Sequence, residues 1–172
     1  VGNQPGAVYD NFYGLREAKS DLAGFALFDR LDPPPENKPG LRQVVWSRRE
    51  IENYICQRQT LLRWAEARGD HEGGELIGNT WKRQMDQCIG QVEQALATLR
   101  KGSPWSPDIK VSDEFLTPLF DKFFQALNLP NLMSKSGYHE LAAHVPPEEL
   151  DQEVVKVLNG IQEVASQAVA RA

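Results

Sequence analysis

Phe25-Ala26-Leu27-Phe28-Asp29-Arg30-Leu31-Asp32, closed by Pro33-Pro34-Pro35, is the stretch that decides the fold. Four consecutive apolar residues, two of them aromatic, read as a short strand buried on both faces, because a half-exposed strand would alternate. The acids and prolines that follow end it and carry carboxylates into a loop. Arg42-Gln43-Val44-Val45-Trp46 is a second strand candidate, reached through the loop from Glu36 to Gly40. Upstream, Pro5 suits the first turn of a helix, and Val8, Phe12, Leu15, Ala18 and Leu22 recur at three- and four-residue spacing, which predicts an amphipathic helix over residues 5–22. A helix followed by two buried strands points to an α/β layer with parallel strands, where chemistry gathers at the strand C-terminal ends.

The remainder reads as helical. Ile51 to Ile55 and Leu61 to Ala67 have helical character, broken by the polar, glycine-rich stretch Arg68-Gly69-Asp70-His71-Glu72-Gly73-Gly74, read as a loop. A long helix is expected from about Glu75 to Leu99, with Trp81, Met85, Cys88, Ile89, Val92, Leu96 and Leu99 on one stripe. Ser112-Asp113 is expected to cap a helix whose apolar face carries Phe115, Leu116, Leu119, Phe120, Phe123, Phe124 and Leu127. Gly137 to Ala143 reads as a short helix, and Val154, Leu158, Ile161 and Ala165 mark the last one. The expected fold class is therefore α/β: a small, incomplete parallel sheet with a large α-helical insertion and C-terminal helices, helix-dominated overall. Two strands are few for a parallel sheet, which is normally covered on both faces.

The 172 residues are 41% hydrophobic and 25% charged, an ordinary globular composition. A formal net charge of -5 argues against a surface that attracts nucleic acid everywhere, and leaves a local basic patch open. Such a patch is offered by Arg42, Arg48, Arg49, Arg58, Arg63 and Arg68, set against Glu50, Glu52 and Glu66. No apolar run approaches the eighteen or so residues that span a bilayer. Cys56 and Cys88 sit in helix-like segments, so a reduced, cytoplasmic chain is expected rather than a disulfide scaffold. The P-loop pattern is absent, so no ATP site of that type is expected here.

Two stretches carry candidate chemistry. Asp29 and Asp32 stand at the end of a buried strand, which would fix where carboxylate oxygens point; hard cations such as Mg²⁺ take such oxygens, although Asp also favours turns. In Trp46-Ser47-Arg48-Arg49-Glu50-Ile51-Glu52-Asn53-Tyr54-Ile55, Ser47 and Glu50 have capping-box spacing. That box leaves Glu52 and the Arg48-Arg49 pair unexplained. Arginines beside carboxylates suit a phosphate-bearing substrate held next to a metal.

Phe28-Asp29-Arg30, followed some twenty residues later by Arg49-Glu50-Ile51-Glu52-Asn53-Tyr54, resembles the TOPRIM region at the C-terminal end of bacterial ATPases related to the overcoming-lysogenization-defect (OLD) nucleases. The resemblance covers about residues 10–56, and residues 134–165 weakly. It implies a partial TOPRIM-like core at residues 1–56 that lacks its first strand, a helical insertion at 57–128, and a C-terminal helical part at 129–172 returning to the core. It also implies Mg²⁺ or Mn²⁺ held by Asp29 and Glu52, with Asp32 as a substitute for the second acid of the strand motif, whose position Leu31 occupies. Lys135 matches the family's lysine before a C-terminal helix, and with Arg48 or Arg49 would offset charge on a scissile phosphate. The family's earlier acidic strand is missing, and the chain opens on Val1 rather than Met. The expectation is a piece of a longer protein, with an ATPase domain upstream as a partner in the same polypeptide, DNA as substrate, phage defence as a candidate role, and a homodimer and no membrane among the expected assemblies. The alternative reading is a non-catalytic interaction or dimerisation module of a bacterial ATPase, favoured by Leu31. A third is a free-standing helical regulator.

Overall fold

The computed structural model describes residues 3–167. In chain order its main elements are α1 (Pro5–Ala18), β1 (Gly24–Phe28), β2 (Leu41–Val45), α2 (Glu52–Ile55), α3 (Arg58–Gly73) and α4 (Glu75–Thr98). A π-helical turn (Ser112–Leu116) leads into α5 (Thr117–Ala126); a 3-10 helix (Lys135–His144) and α6 (Gln152–Ser166) follow. The fold is helix-dominated α/β with a small two-stranded parallel sheet, as the apolar runs predict. The chain divides into two compact units, Val1–Ser47 with Asp151–Ala172, and Arg48–Leu150. These limits differ from divisions after residues 56 and 128. The segment from Arg48 to Cys56 is tied by Glu50 and Asn53 to residues 106–112, inside the second unit.

In the first unit β1 and β2 run parallel, with Gly24 opposite Leu41 and Phe28 opposite Val45. Phe12 from α1 and Ala26, Phe28 and Leu41 from the strands form its small core, and Val8, Leu22 and Leu31 pack around it. α1 stops at Ala18, one turn short of the predicted Leu22. The Arg16 guanidinium reaches forward to the Ser20 carbonyl at 2.7 Å and fixes the exit of the chain, so Leu22 meets the core from a loop.

α6 buries Val157 and Gly160 and leaves Leu158 and Ile161 55% and 41% exposed, so the stripe that marks this helix faces outward. The reason is Gly160. A Cβ there would lie 3.1 Å from Phe25 and from the Arg42 guanidinium, so the bare backbone admits β1 and β2 side chains that a larger residue would hold off. Arg42 in turn pairs with Glu163 at 2.5 Å across the same face.

The second unit is built on the antiparallel pair α3 and α4, with α5 laid against α4. Its core joins Leu61, Trp64, Met85 and Ile89 to the face of α5, where Phe120, Phe123 and Phe124 all meet the Trp64 ring edge-on. The α4 stripe is buried from Trp81 to Leu96, whereas Leu99 lies past the helix end and is 67% exposed. The stretch 68–74, expected as a loop, is helix down to Gly73. Arg68 and Glu72 pair across one turn, Gly69 lies against the backbone of Gly78, and the stop falls at Gly74, whose φ of 78° favours glycine. Residues 137–143 are 3-10 rather than α-helical.

Cys56 and Cys88 are both free and buried. Burial pushes the Cys56 thiol well above its usual range, with the Glu50 carboxylate acting in the same direction. Since the thiolate is the nucleophile, Cys56 is expected to resist an aromatic disulfide reagent at pH 8 in the folded protein and to react within minutes in 6 M guanidinium. Rapid labelling of Cys56 in the native state would show that its surroundings open.

Candidate functional site

The C-terminal ends of the two strands meet in the first unit. The Trp46 N–H donates to the Phe28 carbonyl at 2.9 Å, which carries the ladder one step beyond β1 and brings the chain after Phe28 level with Trp46 and Ser47. Asp29 follows there, half-buried, while Asp32 is exposed and joined to Pro33 by a cis peptide bond. Leu31, between them, packs against the core around Phe12 and Phe28. Leu31 therefore serves packing.

Ser47 has a partner that its local sequence hides. Its N–H and hydroxyl donate to the two oxygens of Glu153, at 2.8 and 2.5 Å, and Arg30 reaches the Ser47 carbonyl at 3.5 Å. Glu153 stands in the first turn of α6, whose N-cap Asp151 accepts the Glu153 N–H at 2.9 Å. The acid in Asp151-x-Glu153, ahead of an apolar run, signals a helix start. Its placement at the strand ends is a tertiary fact.

The capping box of Ser47 with Glu50 does not form. α2 begins at Glu52 with Ile51 at its N-cap and no side-chain cap. Glu50 is buried, and its carboxylate accepts the Ser112 N–H at 2.5 Å and the Ser112 hydroxyl at 3.0 Å. Asn53, also buried, accepts the Glu50 N–H at 3.0 Å and donates to the carbonyls of Ser106 and Ile109 at 3.2 Å. Arg48 is clamped nearby: its guanidinium donates to the Asn53 carbonyl at 3.0 Å and lies over the Tyr54 ring, 4.8 Å from its centre. Ser112, expected as an N-cap, is thus held from outside its helix. The turn that it opens is π-helical, a geometry frequent at functional sites.

Glu52 is half-buried on α2, which packs against the 3-10 helix that Lys135 opens. Tyr138 on that helix shares a 2.9 Å hydrogen bond with the Thr117 hydroxyl. Burial raises its phenol above the ordinary range; the Thr117 bond opposes this, and the carboxylates of Asp121, Asp113 and Glu52 add to the rise. Lys135 pairs with Asp113, which also binds Lys110 at 2.6 Å. These two lysines hold the Asp113 carboxyl below its usual range.

The structure places Asp29 and Asp32 in the first unit and Arg48, Arg49, Glu52 and Lys135 in the second. It brings the helix of Glu52 against that of Lys135. Lys110 and Asp113 are absent from the sequence-based candidates, although their three-residue spacing at the start of a helix is the signal for such a pair. Among the described residues no group of three or more His, Cys, Asp or Glu side chains is gathered to hold a metal ion, and no helix is long and apolar enough to cross a membrane. Mg²⁺ keeps several of its waters and is commonly bound through only one or two carboxylates, so the all-oxygen donors Asp29 and Asp32 suit it in kind. No protein-family model, curated protein or solved structure matches the chain.

Proposed function

We propose that the chain is the TOPRIM-like part of a divalent-metal-dependent DNA endonuclease, acting within a longer ATP-dependent protein of the OLD type and weak or inactive by itself. The observation that supports this best is local. A half-buried acid directly follows the first of two parallel strands, and the polar segment Arg48 to Tyr54 directly follows the second. In this reading Asp29 and Asp32 hold Mg²⁺ or Mn²⁺, Glu52 is the later acid that the resemblance implies, and the ion when bound supplies Lewis-acid activation of water and of a phosphoryl oxygen. Lys135 and the exposed Arg49 offset charge on the phosphodiester, and Arg48 orients the segment that carries Glu52 through its bond to Asn53. Partners in this reading are DNA and an upstream ATPase domain.

A test needs only the chain and Mn²⁺, followed by electron paramagnetic resonance. Wild type is expected to bind Mn²⁺, and Asp29→Ala and Asp32→Ala each to weaken binding by about tenfold or more, as loss of one carboxylate ligand requires. Equal binding by wild type and Asp29→Ala would remove Asp29 from the site.

The packing of Leu31 on the core favours a second reading, a non-catalytic interaction module of a bacterial ATPase. That reading predicts no Mn²⁺ bound in a way that either substitution changes.

A further inference from the structure

Asp113 lies between two ammonium groups from separate segments, Lys110 just before the π-helical turn and Lys135 at the start of the 3-10 helix. All three side chains are half-exposed, at 50%, 51% and 42% for Lys110, Lys135 and Asp113, so an anion from solvent can reach the lysines. Arg49 adds a third cation to this part of the surface: its backbone N–H donates to the Pro107 carbonyl at 2.7 Å, and its neighbour Glu50 holds Ser112, the residue before Asp113. Of the acids close by, Glu50 is bonded to Ser112 and also acts on Lys110, Glu114 pairs with Lys101 at 3.1 Å, and Glu52 and Asp121 act on Tyr138 as Asp113 does. Asp113 thus bridges the two lysines.

Glu50 anchors the backbone from which that carboxylate projects. By taking both the N–H and the hydroxyl of Ser112, it anchors the first residue of the π-helical turn, and Asp113 is the next residue along. An ordinary exposed ion pair between flexible side chains is worth about 0–1 kcal/mol and needs no such anchor. Here a carboxylate carried on an anchored turn offers one oxygen to each of two lysines, as two non-bridging oxygens of a phosphodiester would.

Building on the phosphodiester ligand proposed above, we infer that Asp113 occupies the place of a backbone phosphate between Lys110 and Lys135 and holds a nucleic-acid contact closed until a polyanion displaces it. The contact comprises Arg49, Lys110 and Lys135, and Asp113 is its internal competitor. Removing the competing charge frees two lysines for phosphate, so affinity rises and its dependence on salt becomes steeper.

The experiment measures binding of a fluorescein-labelled duplex of about 20 base pairs by fluorescence anisotropy, in EDTA and about 50 mM salt, with the full 172-residue chain. Asp113→Asn is expected to tighten binding about tenfold and steepen the log–log salt slope by about one. Asp113→Ser should behave alike, which guards against a folding defect in one variant. The gain should fall below about twofold in a Lys135→Ala background, and Glu72→Gln, the same charge change on α3, should leave affinity within about twofold of wild type. The inference is overturned if Asp113→Asn and Asp113→Ser show no gain, including no binding at all, or if the gain persists undiminished without Lys135 or is matched by Glu72→Gln. Since EDTA removes any metal, this result is independent of hydrolysis: a gain without nuclease activity would keep the gate and lose the endonuclease, and the converse outcome would do the reverse.

Discussion

Glu50→Ala is expected to lower the stability of the second unit by about 3–5 kcal/mol, where loss of a simple helix cap would cost about 1. The substitution strips the Ser112 N–H and hydroxyl of their acceptors at a site where Ser112 is only 4% exposed. Each buried donor left without a partner costs about 1–3 kcal/mol, and the vacated carboxylate volume adds to this. Glu50→Gln can keep the Ser112 N–H on its amide oxygen and donate its NH₂ to the Ser112 hydroxyl, which accepts as well as donates, so most of the stability should be retained. Urea unfolding followed by tryptophan fluorescence reads this, since Trp64, Trp81 and Trp105 all belong to the second unit. A loss near 1 kcal/mol for Glu50→Ala would mean that the tie to Ser112 contributes no more than a cap.

Gly69→Val should be comparably damaging for a different reason. A Cβ at Gly69 would sit 2.8 Å from the Gly78 Cα and 3.0 Å from the Gly78 nitrogen and the Ile77 carbonyl oxygen. All three are backbone atoms that cannot swing aside, so α3 and α4 must separate at the end of the hairpin on which the core is built. Overpacking of this kind costs about 1–3 kcal/mol, and the two extra methyls of valine place the expected loss at the upper end. Gly90→Ala on α4 is the matched control. Gly90 is exposed, among the described residues nothing beyond its own stretch of helix lies within 4 Å of the point where an alanine Cβ would stand, and alanine should stabilise the helix by about 0.5–1 kcal/mol. Thermal melts should therefore move in opposite directions for the two substitutions. A Gly69→Val protein that melts with wild type would show that the helices do not approach so closely.

These two sites also show where the sequence is legible. Continuous apolar runs announce β1 and β2 and their parallel pairing, and the three- and four-residue spacing from Trp81 to Leu96 and from Phe115 to Phe124 announces the faces that form the core. Such patterns are local. The partner of Glu50 is 62 residues away and that of Ser47 is 106 away, so a capping-box spacing between them is satisfied in sequence and unused in the fold. Glycines mislead in the same way: the glycine-rich stretch 68–74 resembles a loop until Gly69 is seen against Gly78, and α6 turns its smaller apolar side inward because Gly160 permits a close approach to Phe25. At the candidate site, Asp29 and Glu52 are readable as acids placed after strands. Asp113 is not, because its meaning depends on Lys135 arriving from another segment.

If the acids that follow the two strands serve phosphodiester hydrolysis, plasmid nicking shows it most directly. The full-length reading frame containing this chain, purified with Mn²⁺ and supercoiled plasmid, is compared with its Asp29→Ala and Glu52→Ala forms. Wild type is predicted to convert supercoiled to open-circular DNA, with each substitution reducing the rate by about 100-fold or more, the scale of losing a group that stabilises the transition state. Equal nicking by all three proteins, or none by any, would contradict that role for the two acids.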